Sequence, residues 1–423
     1  MTERRVLVVG AGLAGLAAAV ELARAGFASL VVDQAGAPGG AIHRQPLPGV
    51  AAHGLPAQRR RWRGLCRAVA ASGDRIAILC GHRFAGIDAD GVALLAGERS
   101  RFMRPAALVL AAGATERVVP VPGWTLPGVT TVGAIQTQLK TGGEAPAGRI
   151  LLAGSGPLLC AAAAELAAAG NPPVAVVEAG RPFRHAADAL ALPAGYLAEA
   201  SAFLARLVVA RVPMRCGMRL CGIERRGDAL VARAEGGGRH LDFAVDRIGL
   251  HDGIRPNGYG AAGTAVPVML AGDAREALGA RAALADGRRV GAALAARLAG
   301  RPLPPGTSPV LERERAAQQR LRRIYAHDLG ARLAAIGDDT VICRCENRTA
   351  GDLRALGDDP TDRELRLRGR FAMGRCQGRF CGEWVRRLRG DAAADAPLGA
   401  VRLPALPLPL ADLIDAGAPD EDI

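Results

Sequence analysis

A glycine-rich turn near the N-terminus restricts the possible folds of this chain more than any other feature of its sequence. Gly10, Gly12 and Gly15 form a GxGxxG pattern that directly follows the apolar run of residues 4–9. Helical periodicity comes next, and a second apolar run ends at Asp33. The order strand, turn, helix and strand predicts a β–α–β unit and therefore an α/β fold.

The glycines of this first turn suit the binding of a dinucleotide. The first permits a tight turn, the second lets the backbone approach a pyrophosphate, and the third allows close packing of helix on strand. The helix N-terminus adds partial positive charge for the phosphates. Asp33 lies where an acid can accept a hydrogen bond from a ribose hydroxyl. The motif alone does not separate FAD from NAD.

A second glycine turn follows a later apolar strand. Gly154-Ser155-Gly156 precedes another helix, Leu159 takes the place of the third glycine, and Glu178 ends the next strand. A leucine there would push the helix from the strand or reshape the phosphate pocket. We expect this degenerate second domain to bind an adenine nucleotide (NAD or ATP) or no ligand.

Two further features resemble flavoproteins with two dinucleotide-binding domains. Gly39-Gly40 follows Asp33 where these enzymes place a turn beside the flavin, and Ala271-Gly272-Asp273 ends a strand where their aspartate binds a ribityl hydroxyl. The resemblance implies FAD. Arg44 is a candidate to stabilise the reduced flavin, with a surface role equally open. The candidate FAD-binding residues are Gly10, Ala11, Gly12, Gly15, Asp33, Gly40, Arg44, Gly113, Gly272 and Asp273.

Four of the nine cysteines form a compact group near the C-terminus, whereas the other five are scattered. Cys343-Arg-Cys345 and Cys376-x4-Cys381 stand thirty residues apart. Structural zinc usually draws on CxxC pairs, whereas a CxC pair plus a second close pair resembles the 2Fe–2S domain of bacterioferritin-associated ferredoxin. The small ferredoxin has a shorter second gap, and zinc stays an alternative. Nearby arginines would offset the cluster's negative charge: Arg344, Arg348, Arg370, Arg375 and Arg379.

The formal charge of +13 does not by itself indicate a nucleic-acid partner. The arginines are spread along the whole chain, and aromatic residues, at 3%, are too few for a base-stacking platform. The apolar segment around the first turn contains Glu21 and Arg24, which argues against a transmembrane segment or a signal peptide. We expect a soluble, cytoplasmic protein that does not bind nucleic acid.

The predicted architecture is a Rossmann-like flavoprotein with two dinucleotide-binding domains and a small C-terminal 2Fe–2S domain. The predicted segments are an FAD-binding domain in two parts (1–115 and 246–300), a degenerate second nucleotide-binding domain (116–245), a linker with a connector helix (301–337), the 2Fe–2S domain (338–390) and an extended tail (391–423) that lies on another surface or is disordered.

Longer segments resemble one particular family. Residues 123–142, 40–46, 342–353 and 374–382 are similar to the larger FAD subunits of amine and amino-acid dehydrogenases, which include hydrogen cyanide synthase, the opine oxidases and the D-hydroxyproline and L-proline dehydrogenases. The resemblance implies an FAD and 2Fe–2S subunit of a hetero-oligomer. A second flavoprotein subunit would oxidise the small-molecule amine or amino acid, and an FMN between the subunits is a further candidate cofactor.

This chain departs from the family pattern between Pro256 and Gly272, where the connecting stretch is short. The short stretch trims the edge of the FAD-binding domain, which puts in question either a contact with a partner or the closure of the FAD pocket. The sequence also shows no convincing acid–base constellation, so the catalytic residues are unknown. Two alternatives stay open: a self-sufficient NAD(P)H-dependent reductase, which needs a working second turn, and a non-catalytic redox-sensing scaffold.

Overall fold

The computed structural model describes residues 4–50, 56–261, 263–391, 396–399 and 402–414. The chain forms two compact units. The first comprises Met1–Thr115, Ile254–Ala316 and Val401–Ile423, and the second Glu116–Gly253 and Ala317–Ala400. None of the helices in the described part of the chain is long and apolar enough to span a membrane.

The strands are, in chain order, β1 (Val6–Val9), β2 (Ser29–Asp33), β3 (Ile76–Cys80), β4 (Arg83–Ile87), β5 (Ala93–Ala96), β6 (Arg101–Met103), β7 (Ala107–Leu110), β8 (Ala114–Glu116), β9 (Val129–Thr131), β10 (Ile150–Gly154), β11 (Ala175–Glu178), β12 (Met214–Cys216), β13 (Arg219–Arg226), β14 (Ala229–Gly236), β15 (Arg239–Val245), β16 (Arg247–His251), β17 (Ile254–Pro256), β18 (Val268–Leu270), β19 (Val341–Cys343) and β20 (Arg348–Thr349).

The helices are α1 (Leu13–Arg24), α2 (Pro56–Ala70), α3 (Val132–Gly142), α4 (Pro157–Ala168), α5 (Ala186–Leu190), α6 (Ala194–Val209), α7 (Ala280–Leu298), α8 (Pro309–Ile324), α9 (Leu329–Ala334), α10 (Ala350–Arg354), α11 (Asp362–Leu367), α12 (Gly382–Leu388) and α13 (Leu410–Ile414).

The first unit is built on a parallel sheet in the order β18-β7-β1-β2-β3. All four residues of β1 are buried because both faces of the sheet are covered. Val6 and Val8 pack into a core with α1 and α7, whereas Leu7 and Val9 pack against the antiparallel sheet β4-β5-β6. This arrangement confirms the predicted Rossmann-like α/β fold.

The second unit repeats the plan with a parallel sheet in the order β12-β11-β10-β16-β9. Ile150 and Leu152 face α3 and α4, and Leu151 and Ala153 face the antiparallel sheet β13-β14-β15. Strand β16 pairs in parallel with β10, so residues 247–251 complete this second sheet. The predicted boundary at residue 246 is therefore wrong by one strand, because β16 hydrogen-bonds to the second sheet and not to the first.

The cysteine-containing segment belongs to the second compact unit and has a small core of its own around Phe371. Backbone strain is concentrated here. Outside glycine, the described residues with positive φ are Arg211, Asn347, Arg370, Ala372 and Gln377, and four of these five lie between Cys343 and Cys381. Such strain persists only where the surrounding structure fixes the backbone, which is common at ligand-binding sites.

The tail packs on the first unit of its own chain. Ala405 N donates to Ala85 O at 2.6 Å, and Leu408 and Leu413 lie against a small core in the β4-β5-β6 sheet. Of the predicted tail, residues 396–399 and 402–414 are described, and they include the short helix α13. The tail therefore lies on a surface of the same chain, and the other residues predicted for it fall outside the described ones.

Candidate functional site

The first glycine turn joins β1 to α1 at the carboxyl edge of the first sheet. Gly10 has φ +104°, and a β-carbon there would overlap Ala111 O at the end of β7. A β-carbon on Gly15 would likewise overlap Gly10 O. These two glycines therefore bring the turn, the helix and the neighbouring strand into close contact, as expected of the first and third positions of the motif.

Gly12 has a different environment and faces the double glycine. Its φ of −83° is ordinary, and a β-carbon on it would stand 3.7 Å from Gly40 Cα, a normal contact. Gly39 N donates to Ala11 O at 2.9 Å, which holds the double glycine beside the first turn. Two residues without side chains, Gly12 and Gly40, thus face each other where the motif predicts the pyrophosphate.

Asp33 and Arg44 extend this site. The Asp33 carboxylate accepts from Ala11 N at 2.7 Å and from Ala35 N at 2.8 Å, one bond to each oxygen. Each carboxylate oxygen can accept more than one hydrogen bond, so a ribose hydroxyl can still donate to it. Arg44 Nε is buried and has no hydrogen-bond partner in the described part of the chain. An unpartnered guanidinium nitrogen is what an anionic group of a bound cofactor would satisfy.

The turn at Gly272 and Asp273 closes against the first helix. A β-carbon on Gly272 would stand 2.6 Å from Ala14 Cβ, so the backbone of the turn lies directly on α1. Asp273 Oδ1 accepts from Leu278 N and Gly279 N, both at 3.0 Å, and burial raises the pKa of this carboxyl. Asp273 therefore holds the loop that leads into α7, in addition to its predicted contact with a ribityl hydroxyl.

Sequence reasoning missed the acid that fixes this turn. Asp286 in α7 is buried, accepts from Gly272 N at 2.8 Å, and pairs with Arg275 at 2.7 Å and Arg289 at 2.9 Å. Burial raises the pKa of Asp286, but these hydrogen bonds outweigh it and leave the pKa below its usual value. Gly113, also predicted at the flavin, has φ +71° and open space where its β-carbon would be.

The second glycine turn is covered by the chain's own backbone. Glu178 is buried and accepts from Ser155 Oγ at 2.7 Å, from Gly180 N at 2.7 Å and from Gly156 N at 3.0 Å. Ser155 Oγ also lies 3.0 Å from the carbonyl oxygen of Tyr325, just beyond α8. In a dinucleotide fold the acid at this position contacts the ribose, so the Tyr325 segment lies where an adenosine ribose would bind.

Burial raises the pKa of Glu178 to about 7, against the opposing effect of its three hydrogen bonds. The hydroxyl of Ser155 has one proton and two acceptors within reach, Glu178 and the Tyr325 carbonyl. An ionised Glu178 accepts from Ser155 Oγ, whereas a protonated Glu178 can donate to Ser155 Oγ, which then donates to Tyr325, so that both contacts are satisfied. The covered turn is therefore a neutral hydrogen-bonded network below about pH 7 and gains a negative charge above it.

A buried histidine–carboxylate pair stands on the other side of the second turn. His251 Nδ1 lies 2.9 Å from Glu116 Oε1, and Glu116 Oε2 accepts from Gly133 N at 2.8 Å. A β-carbon on Gly156 would stand 3.6 Å from His251 Nε2. No local pattern in the sequence indicates the pairing of His251 with Glu116.

A cavity of about 340 Å³ opens in the second unit beside Ala179, at the end of β11. Its lining includes Arg219, Arg239 and Arg332 together with His327. Arg219 pairs with Glu235 at 2.8 Å and Arg332 with the buried Asp252 at 2.5 Å. Much of the positive charge in the cavity is therefore balanced by carboxylates of the same unit.

The four C-terminal cysteines come together in the second unit. Hydrogen bonds between thiols link Cys345 to Cys376, Cys376 to Cys381 and Cys381 to Cys343. These contacts lower the pKa of Cys343 to about 7 and that of Cys376 well below its usual range, and they raise the pKa values of Cys345 and Cys381. Without a cation, four adjacent thiols cannot all ionise, because each thiolate opposes the next.

Within the described ranges, no three or more His, Cys, Asp or Glu side chains form a group that could hold one metal ion. The four thiols instead form one chain of contacts, in the order Cys345, Cys376, Cys381 and Cys343. Cys343 and Cys381 are buried, whereas Cys345 is exposed.

Four of the neighbouring arginines have partners of their own. Arg370 pairs with Glu346 at 2.8 Å and Arg348 with Asp352 at 3.1 Å, so their charges are largely balanced by carboxylates. Arg379 donates to Cys376 O at 3.0 Å and Arg344 lies over the ring of Trp124. The prediction that all these arginines offset the cluster's charge is therefore too simple, since two of them form local ion pairs.

Comparison with known proteins agrees with this architecture. Residues 4–272 match the pyridine nucleotide-disulphide oxidoreductase family, so the match extends from the first glycine turn to Gly272. The chain belongs to this family and is an FAD-dependent oxidoreductase. Unlike the disulphide-reducing enzymes from which the family takes its name, it has no CxxxxC pair close after Gly40.

Several of its curated relatives are subunits of multi-subunit enzymes. The chain is 34% identical to hydrogen cyanide synthase subunit HcnB of Pseudomonas aeruginosa, over 91% of this chain and 93% of the relative. It is 32% identical to an opine oxidase subunit of Agrobacterium tumefaciens, over 96% and 91% of the two chains. The fold resembles a solved L-proline dehydrogenase from P. horikoshii, with a TM-score of 0.61 at 16% identity, over 97% of this chain and 79% of that one.

Proposed function

We propose that this chain binds FAD in its first unit and a 2Fe–2S cluster in its second, and passes electrons between them as the larger subunit of a hetero-oligomeric amine or amino-acid dehydrogenase. When bound, the flavin would supply two-electron chemistry and the cluster one-electron transfer. The protein's own residues bind and orient the two groups and set their electrostatic surroundings.

One observation supports the cluster above all others: the two cysteine pairs, thirty residues apart in sequence, come into contact, and one cysteine of each pair lies in the same buried core. A 2Fe–2S cluster takes four cysteine ligands, and the four linked thiols supply that number. The strained backbone at Asn347, Ala372 and Gln377 indicates that the loops are held in place for a ligand. We therefore assign Cys343, Cys345, Cys376 and Cys381 to the cluster, with zinc as the alternative.

The flavin site is supported by the facing glycines of the first turn. Gly12 and Gly40 leave the backbone open to a pyrophosphate, Asp33 offers acceptors for a ribose, and the unpartnered Nε of Arg44 offers a donor to an anionic group. We propose that the remaining candidates, Gly10, Ala11, Gly15, Gly113, Gly272 and Asp273, complete this site.

The covered second turn favours the role of a dehydrogenase subunit over that of a self-sufficient NAD(P)H reductase. The Tyr325 segment contacts both Ser155 and the loop at Gly180, the ribose-binding corner of a dinucleotide fold. NADH would have to displace this segment. An adenine nucleotide in this unit stays a proposal, for which the neighbouring cavity is the available space.

The partner follows from the relatives, which are subunits of hydrogen cyanide synthase and opine oxidase. We propose a second flavoprotein subunit that oxidises the amine or amino acid, with an FMN between the two as a further candidate. The cytoplasmic location predicted from the sequence stays a prediction.

Protein purified without oxygen tests both cofactors at once. We expect about one FAD, two irons and two acid-labile sulfides per chain. Cys376→Ala should lose iron and sulfide but retain FAD, whereas the matched change Cys221→Ala, at an exposed cysteine outside the group, should retain everything. Stoichiometric zinc without sulfide would refute the cluster, and joint loss of FAD in Cys376→Ala would refute separate sites.

A further inference from the structure

Two residues of the second dinucleotide-binding domain contact the cysteine-bearing segments, and each residue contacts one of the two. We propose that Arg117 and Trp124 are positioning residues for the four-cysteine cluster, and that Arg117 also sets the cluster's reduction potential. This inference rests on the proposed function, because it requires a redox-active cluster at these cysteines. It assigns to the degenerate nucleotide domain a role that needs no nucleotide.

Trp124 holds the first cysteine pair. The side chain is buried, and its indole N–H donates to Val341 O at 2.6 Å. Val341 begins β19, two residues before Cys343, so this bond fixes the strand that leads into the CxC pair. The guanidinium of Arg344, between the two cysteines, lies 5.8 Å from the centroid of the same indole ring. The ring thus contacts the loop by a hydrogen bond and by a cation–π interaction.

Arg117 holds the second cysteine pair. Its Nη2 lies 2.8 Å from Glu383 Oε1, and its guanidinium carbon lies 5.1 Å from the centroid of the Trp384 ring. Glu383 and Trp384 lie two and three residues after Cys381, in the first turn of α12, and both are buried. The backbone of Arg117 is itself fixed, because its N–H donates to Gly253 O at 2.9 Å and its carbonyl accepts from Asp252 N at 2.8 Å.

The charge of Glu383 gives Arg117 its electrostatic role. A buried carboxylate two residues from a ligand opposes the addition of an electron to an already anionic cluster. Arg117 and Arg387 both contact Glu383 Oε1, at 2.8 and 2.7 Å, and compensate that charge. Removing Arg117 leaves one of the two cations, so the carboxylate should act more strongly on the cluster and lower its potential.

A set of variants of the full chain separates this charge effect from loss of structure. The potential is measured by redox titration of the cluster's electron paramagnetic resonance signal, with FAD content as the internal control. We expect Arg117→Gln to lower the potential and Arg117→Lys to restore most of it. The double variant Arg117→Gln/Glu383→Gln should return toward the wild-type potential, because the charge that Arg117 compensates is gone.

Trp124→Phe tests the hydrogen bond, since it keeps an aromatic ring and removes the N–H donor. We expect a changed resonance spectrum and several-fold faster loss of iron to a chelator. Trp62→Phe is the matched control, because Trp62 stacks on His43 in the first unit, and it should leave both readouts unchanged.

Unchanged potentials in Arg117→Gln, or an equal drop in the single and double variants, would overturn the electrostatic role. An unchanged spectrum and iron loss in Trp124→Phe would overturn the positioning role. A wild-type protein without iron and sulfide would instead refute the proposed function, and this result is visible before any variant is made.

Discussion

Gly12 is a specific probe of flavin binding because the protein itself has room for a side chain there. A β-carbon on Gly12 makes only a normal contact with Gly40, whereas one on Gly10 or Gly15 would overlap backbone oxygens. Gly12→Ala should therefore fold normally and bind FAD at least about tenfold more weakly, a loss of about 1.4 kcal/mol or more. Flavin content after purification and titration of the apoprotein with FAD give the measurement.

Gly142→Ala is the matched control for this substitution. Gly142 is the last residue of α3 and has no atom within 4 Å of its β-carbon position. The Gly142→Ala variant should bind FAD as the wild type does. Normal FAD affinity in Gly12→Ala would show that the flavin binds elsewhere.

Glu178 makes the stability of the second unit depend on pH. Its pKa is raised by burial from an ordinary 4.5 to about 7, so the folded state holds a proton that the unfolded state releases. Stability from this group is full below pH 4.5 and is lost as the pH rises toward 7, by about 3 kcal/mol in total. Denaturant unfolding of wild type and Glu178→Gln across this range measures it.

The difference between the wild type and Glu178→Gln isolates the contribution of the Glu178 carboxyl, because Gln cannot titrate. The unfolding free energy of the wild type should fall more steeply between pH 4.5 and 7 than that of Glu178→Gln, whatever the absolute stability of the variant. Parallel pH profiles would mean that Glu178 is ionised in the folded protein, and the neutral network with Ser155 would then be wrong.

The sequence indicated the residues that belong to local patterns, but it missed the residues whose partners are distant along the chain. The glycines and cysteines stand at diagnostic spacings, so their grouping could be predicted. Glu116 and His251 are 135 residues apart, and Ser155 and Tyr325 are 170 apart. Only the folded chain brings such pairs together, and a single sequence contains no signal for their contact.

Among the elements, the C-terminal tail has a structural role that its composition did not reveal. Leu408 and Leu413 pack on the β4-β5-β6 sheet, whereas Leu410 and Ile414 are exposed. The double variant Leu408→Ala/Leu413→Ala should destabilise the first unit by about 2 kcal/mol, since it removes partly buried methyl groups. The exposed pair Leu410→Ala/Ile414→Ala should change stability by less than about 0.5 kcal/mol.

Flavin release on heating measures the stability of the first unit. Equal effects of the two double variants would show that the tail does not pack on this sheet in solution. The sequence predicted an extended tail on another surface, but it could not identify that surface, because the small residues Ala85 and Gly86 that receive the tail have no distinguishing pattern.

Strand order explains the misplaced domain boundary at residue 246. Residues 247–251 form an apolar strand that would suit either parallel sheet, and the choice depends on hydrogen bonds to β10 and β9. Periodicity identifies a buried strand but does not identify its neighbours.

At the scale of the whole molecule, the first unit is assembled from three segments of chain and the second from two. The sequence predicted that the FAD-binding domain is interrupted, because the turn at Gly272 returns to the first sheet. It treated the cysteine segment as a domain of its own. Contacts from Arg117 and Trp124 instead place that segment within the second compact unit.

Dye reduction tests the proposed division of labour between this chain and a partner subunit. The purified chain, alone and mixed with the second flavoprotein subunit, is assayed with an artificial electron acceptor against amino acids, opines, other amines and NAD(P)H. We expect no turnover by the chain alone and turnover of an amine or amino acid by the complex, whose interface should bury more than about 1,000 Å². Robust turnover of an amino acid or of NADH by the chain alone would contradict it.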